Sequence, residues 1–551
     1  MSLITLFSYD INSVKRIKDW GYGSNWPVVY IIYNDKNAYV GETIDAVRRT
    51  EQHLQEKEFD EFKQICLITN RTFNKSATLD LESFLIKYIS ADGTKRLTNG
   101  NAGVVNHNYF YKEAYEEDFR DIWSRLIDFG IVNNSLFDIE NSELFKYSPY
   151  KSLNLEQQKA TYQIISSLSK INNASIKSII MVTGGAGTGK TILAVYLIKL
   201  LKDILDNKKV WAIVEDVEDA AFIEKASKKL ADIKKIGFVV PMRQLRTTIK
   251  SVFNTIDGLS DSMVLAPEEV VKDYYDVLVV DEAHRLYRRK HLPGQHMYKK
   301  FDSINKELMG ESLTRTENDL TELDWILRSS RMQVVFYDSY QTIRATDIGP
   351  ERVSAICKPH LYHSTELFSQ MRCKGGNGYY EYVRRIIEDK NCTVYDYKKI
   401  DDYELHVYDN IEDLFSMIRI KRQLDMLCEV VTGPGWSMEE AIIIDGKEYC
   451  WSKGKNSDQR DTILSVHKIQ GFDLNYAGVI FGKEVYYDTK DKCIAINRKE
   501  LKDPFTKSNG IDNMRRFVLN IYITLMTRGI NGTYVYAVDK ELRAYLEKFF
   551  N

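Results

Sequence analysis

One stretch, IIMVTGGAGTGKTILAVYLIKLL, restricts the fold more than any other part of the chain. An aliphatic run suited to a buried strand leads into a glycine-rich turn, and an amphipathic helix follows at once. Gly184 and Gly189-Lys190-Thr191 stand in the GxxxxGK[ST] spacing. Gly184, Gly187 and Gly189 let the backbone aim N–H groups at phosphate oxygens, and the helix N-terminus adds positive potential. Lys190 reaches the outer phosphates and Thr191 ligates magnesium. The order strand, turn, helix belongs to a parallel α/β sheet, with ATP and Mg²⁺ as the expected cofactors.

Ninety residues on, YDVLVVDEAHRL ends another apolar strand in two adjacent carboxylates. Asp281 is expected to hold the metal through water and Glu282 to orient or deprotonate the attacking water. Gln157, in LNLEQQKA ahead of the glycine turn, is a candidate reader of adenine through its amide.

Further aliphatic runs, KVWAIVE, MQVVFYD, EAIIID and YAGVIFG, alternate with helical segments and read as strands of covered parallel sheets. At 551 residues the chain exceeds one compact core, and roughly three to four domains are expected. We set their boundaries at 1–108 for a small α/β unit, 109–150 for a helical connector, and 151–350 and 351–551 for two parallel-sheet units. The lysine-rich stretch EKASKKLADIKKIG reads as a solvated helix face. A net charge of −2 means that any nucleic acid must be held by local patches. Seven cysteines without a CxxC pair argue against a zinc site and against a disulfide framework. No apolar run approaches the roughly 20 residues of a membrane span, so a cytoplasmic location is expected.

The order of motifs over about residues 150 to 540 resembles a superfamily 1 helicase, in wording closest to a branch that includes schlafen-type helicase domains. Gln157 stands at the family's Q motif, GGAGTGKT at motif I and DEAH at motif II. VVFYDSYQTIR fits motif III, which makes Asp338 its acid and Gln341 its γ-phosphate-sensing glutamine. The resemblance makes Arg372 in LFSQMRCKGG the motif IV arginine and Arg528 in IYITLMTRG the motif VI arginine finger. His467, Gln470, Gly471 and Asp473 match motif V, which couples the second motor domain to nucleic acid. Arg243, Arg246 and Lys250 sit where motif Ia grips nucleic-acid phosphates, although a solvated basic helix fits that stretch almost as well. Two RecA-like motor domains are implied.

Residues 24 to 105 resemble a GIY-YIG nuclease domain. Val28-Val29-Tyr30 stands for the first triplet, keeping only its tyrosine, and Tyr39-Val40-Gly41 stands for the second. Arg49 and His53 fall at the family's helix positions, Glu82 at its metal ligand and Asn99 at its closing asparagine. The chemistry suits those residue types: Glu82 for Mg²⁺, Arg49 for the scissile phosphate, and Tyr30 or Tyr39, helped by His53, as base for water.

The expected molecule is therefore α/β, with a small GIY-YIG nuclease domain ahead of two RecA-like domains. Its expected function is ATP-driven translocation coupled to Mg²⁺-dependent cleavage of DNA, in an architecture suited to defence against phage. Two alternatives stay open: a nucleotide-switched sensor or scaffold whose N-terminal domain binds without cutting, and an RNA-directed nuclease and helicase.

Overall fold

The computed structural model describes residues 2–99, 109, 112–140, 142–149, 153–171, 177–185, 187–206, 217–290, 292, 294–309, 320–338, 341, 346–369, 373–392, 403–424, 427–452, 461–466, 474–502 and 511–550. Among these residues the chain is mixed α/β, with three main sheets. The first sheet comprises β1 (Leu3–Ser8), β2 (Ser24–Tyr33), β3 (Asn37–Asp45), β4 (Gln64–Thr69) and β5 (Arg96–Leu97), in the order β1-β4-β2-β3-β5. Its pairs are antiparallel except β3 with β5, which run parallel. One face packs on the helix Ile11–Asp19 and the helix Ala46–His53 through Ile17, Val28, Ile32 and Ala46. The other face, with Val29, Ile31 and Val40, receives the helix Lys75–Asp92. Asn74 caps that helix by accepting the Ala77 N–H, and Gly93 ends it at φ 70°.

The second sheet is parallel throughout and contains β6 (Ser178–Gly184), β7 (Ile236–Val239), β8 (Val264–Leu265), β9 (Tyr275–Val280), β10 (Ser330–Tyr337) and β11 (Leu361–Leu367). Its order is β11-β6-β10-β9-β7-β8. Side chains of β6, β9 and β10 are buried on both faces, in two separate apolar clusters, as continuous aliphatic runs require. β11 pairs with β6, so this sheet extends past the boundary expected at residue 350.

The third sheet is built from β12 (Glu404–Val407), β13 (Cys428–Thr432), β14 (Ile442–Ile444), β15 (Lys447–Trp451), β16 (Thr462–Ser465), β17 (Leu474–Phe481) and β20 (Gly529–Ala537), beside a separate ribbon of β18 (Val485–Asp488) and β19 (Cys493–Ile496). It is parallel but for β14, which pairs antiparallel with β15 at the sheet's edge. The run EAIIID is thus an edge strand rather than a covered one, and Ile443 is 52% exposed. KVWAIVE lies outside the described residues. The lysine-rich helix leaves Lys225, Lys228 and Lys229 exposed, as a solvated face does. No described helix is long and apolar enough to cross a membrane. Five of the seven cysteines are buried, Cys392 is half-buried and Cys450 is exposed.

The first and second sheets share one apolar cluster. It runs from Val29 and Val40 through Leu81, Phe119 and Trp123 to Ile164, Leu197, Val277 and Val334. β5 forms a direct seam: Leu97 bridges to Ile256, and Arg96 donates to the Ile256 carbonyl at 3.1 Å.

Candidate functional site

The glycine turn joins β6 to the helix Lys190–Leu205. Gly187 at φ 80° and Gly189 at φ 76° occupy the left-handed region that glycine adopts without steric cost, and a side chain at Gly189 would also run into the Gln157 amide. The Lys190 ammonium, 6% exposed, donates to the carbonyls of Gly184 at 2.8 Å and Gly185 at 2.7 Å, and to Asp338 Oδ2 at 3.1 Å. Gln341 Nε2 donates to the same Asp338 oxygen at 2.8 Å. The fold therefore gathers the turn, the end of β10 and Gln341 around one ammonium group. Gln157 belongs to the same cluster, but its amide is committed there: Nε2 donates to the Thr188 carbonyl at 3.1 Å, and Oε1 accepts the Asn154 N–H in the cap of its own helix.

Asp281 and Glu282 follow directly on β9 and bring two acids to the same cluster. Burial and the neighbouring Glu282 push Asp281 up to about 7, against the pull of the Thr191 hydroxyl and Lys190. Neither Asp281 oxygen has a hydrogen bond of ordinary geometry, and the side chain is fully buried. A buried carboxylate in that condition, beside a threonine hydroxyl, fits a hard cation such as Mg²⁺. Glu282 adopts φ 49°, a left-handed conformation that non-glycine residues seldom take. Burial works against its charge, yet His284, 3.0 Å away, with Lys190 and Arg285 holds its carboxyl well below the usual range. Sequence reasoning assigned no role to His284, although its place two residues after Glu282 was in plain view.

A second cluster lies in the N-terminal unit. Tyr30 on β2 pairs with Gly41 on β3, where any side chain would collide with the Tyr30 hydroxyl. Tyr30 Oη is 2.9 Å from His53 Nε2 and accepts from Arg49 Nε at 3.2 Å. The Tyr39 and His53 rings meet edge to face, with centroids 5.4 Å apart. Burial raises both tyrosine hydroxyls above their ordinary range, partly offset by Arg49. Burial, then Arg49, lowers His53 to about 4, although Glu56 Oε2 stands 3.2 Å from its Nδ1. Glu56, three residues on from His53, is a partner that helical spacing could have identified.

Glu82 reaches this cluster from the helix on the opposite face. Burial and the carboxylate of Glu42 push it up to about 8, with Lys75 and Arg49 opposing. Glu42, next to Gly41, was also missed; it pairs with Lys75 and accepts from the Thr78 hydroxyl at 3.4 Å. Two repelling acids offering hard oxygen donors suit a divalent cation, though the described residues contain no group of three or more metal-binding side chains. Asn99 clamps Val40 on both sides, accepting its N–H at 2.9 Å and donating to its carbonyl at 2.7 Å.

The remaining candidates separate. Arg243 is exposed on the first turn of the helix Arg243–Asn254, and Lys250 is half-buried. Arg246 turns back to donate to the carbonyls of Val240 at 2.7 Å and Pro241 at 3.1 Å, so it braces the end of β7. Arg528 is 2% exposed, in the turn between the helix Ile511–Met526 and β20. Arg372, His467, Gln470, Gly471 and Asp473 lie outside the described residues.

Comparison with known proteins adds a family. A family model described as Schlafen group 3, DNA/RNA helicase domain, matches residues 177–539. An uncharacterised protein of Saccharomyces cerevisiae is 25% identical over 458 residues, which is 72% of this chain and 90% of that protein. Among solved structures, the PRRSV helicase aligns over 72% of this chain at 11% identity and a TM-score of 0.27, and the chain spans 57% of that helicase's length. A Pif1 helicase from Bacteroides, in complex with ADP-AlF3 and ssDNA, aligns over 70% of this chain and 92% of its own at 12% identity and a TM-score of 0.25.

Proposed function

This chain belongs to the Schlafen group 3 DNA/RNA helicase domain family, and from that premise we propose an ATP-driven translocase on DNA whose N-terminal unit cuts the strand it is brought. One observation carries the motor half: Lys190 and the pair Asp338 and Gln341, from two stretches of sequence about 150 residues apart, converge by hydrogen bonds of 3.1 and 2.8 Å. In this reading Lys190 exchanges its two carbonyl acceptors for phosphate oxygens, and Gln341 senses the γ-phosphate through Asp338. Asp281 and Thr191 hold Mg²⁺, which neutralises phosphate charge when bound. Glu282 takes the proton of the attacking water once it leaves the hold of His284. Arg372 and Arg528 supply the arginine fingers of the second parallel unit, and Arg243, His467 and Gln470 contact nucleic acid.

The cutting half is supported by the Tyr30, His53 and Arg49 contacts. His53 is neutral at physiological pH, so its Nε2 can accept a hydrogen bond from the Tyr30 hydroxyl while its other nitrogen donates to Glu56. Tyr30 or Tyr39, oriented by His53 and Arg49, serves as the base for water. Arg49 holds the scissile phosphate. Glu82 positions Mg²⁺, which supplies charge neutralisation at the phosphodiester. Defence against foreign DNA is the biological role we assign to this pairing.

A single experiment with two readouts tests the whole reading. On labelled DNA and RNA with Mg²⁺, Lys190→Ala is expected to cut ATP turnover on the order of 10²-fold or more. Glu82→Ala is expected to abolish cleavage while nucleic-acid-stimulated ATP hydrolysis survives. Cleavage by Glu82→Ala at the wild-type rate refutes the nuclease and favours a binding-only N-terminal unit. Preference for RNA refutes the choice of DNA.

A further inference from the structure

The helix Leu155–Lys170 places two adjacent side chains on two different loops. Gln157 holds the glycine turn through the Thr188 carbonyl. Glu156 faces the end of β11: its Oε1 accepts the backbone N–H of Phe368, and its Oε2 accepts that of Ser369, both at 2.9 Å. Partial burial raises the Glu156 carboxyl, and these two donors together with the Ser369 hydroxyl outweigh it, leaving the group below its ordinary range.

The location matters more than the bonds. β11 runs beside β6 with Leu367 opposite Gly184, so Phe368 and Ser369 leave the sheet next to the phosphate turn. The chain next enters the helix Gly376–Glu388, whose Tyr379, Tyr382, Val383 and Ile386 belong to the core of the second parallel unit. The segment between is the covalent crossover from one parallel unit to the other. On its far side the ring of Tyr380 stands over Gly185, within van der Waals reach of the position a side chain there would occupy. Both ends of the crossover therefore meet the nucleotide pocket.

We propose that Glu156 is a positioning residue for ATP turnover, fixing the first-unit end of the crossover to the nucleotide pocket so that the second unit closes from a defined start. This rests on the ATPase reading above. A carboxylate is the group such an anchor needs, because two successive N–H donors require two acceptor oxygens. Glutamine offers one acceptor and turns an N–H toward the other donor. Glu156→Gln should therefore be no better than Glu156→Ala, even though it is the closer isostere.

The test is steady-state ATP hydrolysis by the full chain with saturating single-stranded DNA. Glu156→Gln and Glu156→Ala should each lower kcat on the order of tenfold, because misplacement remote from the chemistry acts on the transition state. KM for ATP should stay within about threefold, since Glu156 touches no nucleotide in this reading. Melting temperatures should match the wild type, and hydrogen exchange at the Phe368 and Ser369 amides should accelerate in both variants. A Glu156→Gln enzyme with wild-type kcat overturns the positioning role alone. So does a rise in KM at constant kcat, a fall in melting temperature that accounts for the loss, or unchanged exchange at the two amides. A wild type that turns over no ATP overturns the ATPase reading itself, and the proposal falls with it.

Discussion

His53 is closed off from bulk solvent and neutral at physiological pH. It is 1% exposed, wedged between Tyr30, Tyr39 and Phe59. Burial lowers it from 6.5 to about 4, so the folded chain resists a proton that the unfolded chain accepts. The sign follows from linkage: between those two values the unfolded state binds more protons, and stability is full above about 6.5 and falls as pH drops toward about 4. Thermal melts across that range should show the decline in the wild type and a shallower one in His53→Gln. Parallel slopes would mean that His53 is not the titrating group. The same contacts let Tyr30 keep its proton in a buried site, with a neutral acceptor 2.9 Å away.

At the scale of elements, β5 is two residues long, yet it touches both halves of the molecule. Leu97 is fully buried, pairs with Ala38 in the first sheet and bridges to Ile256 just after the helix Arg243–Asn254. Leu97→Ala should cost about 2–5 kcal/mol, the range for a buried leucine whose cavity cannot collapse, read as a shift in the denaturation midpoint. A cost under about 1 kcal/mol would mark the seam as loosely packed. Nothing in the letters Arg96-Leu97 announces such a strand. β6, β9, β10 and β17 were legible because both faces are covered, and an unbroken aliphatic run is the trace this leaves. The same rule misread EAIIID, since an apolar run does not distinguish a covered strand from an antiparallel edge with one side in water. In the candidate site, Gly189 and Lys190 stand out by fixed spacing within one stretch, and Asp281 by ending a second apolar run. Glu42, Glu156 and the bracing role of Arg246 do not, because each is defined by a partner that only folding brings near.

At the scale of the whole molecule, the first and second sheets are joined by one apolar cluster from Ile4 to Leu367, while the third sheet keeps two clusters of its own. Calorimetry of the full chain should therefore show the N-terminal sheet and the first parallel sheet melting in one transition, with the third sheet able to melt in another. An independent transition for the N-terminal sheet would contradict that continuity. Domain accretion ordinarily leaves a polar frontier along which parts can be exchanged between relatives. Here the frontier is filled by Leu81, Phe119, Trp123 and Ile164. A chimera that grafts another N-terminal unit onto this motor would have to rebuild that apolar seam, or leave a buried face of the motor uncovered.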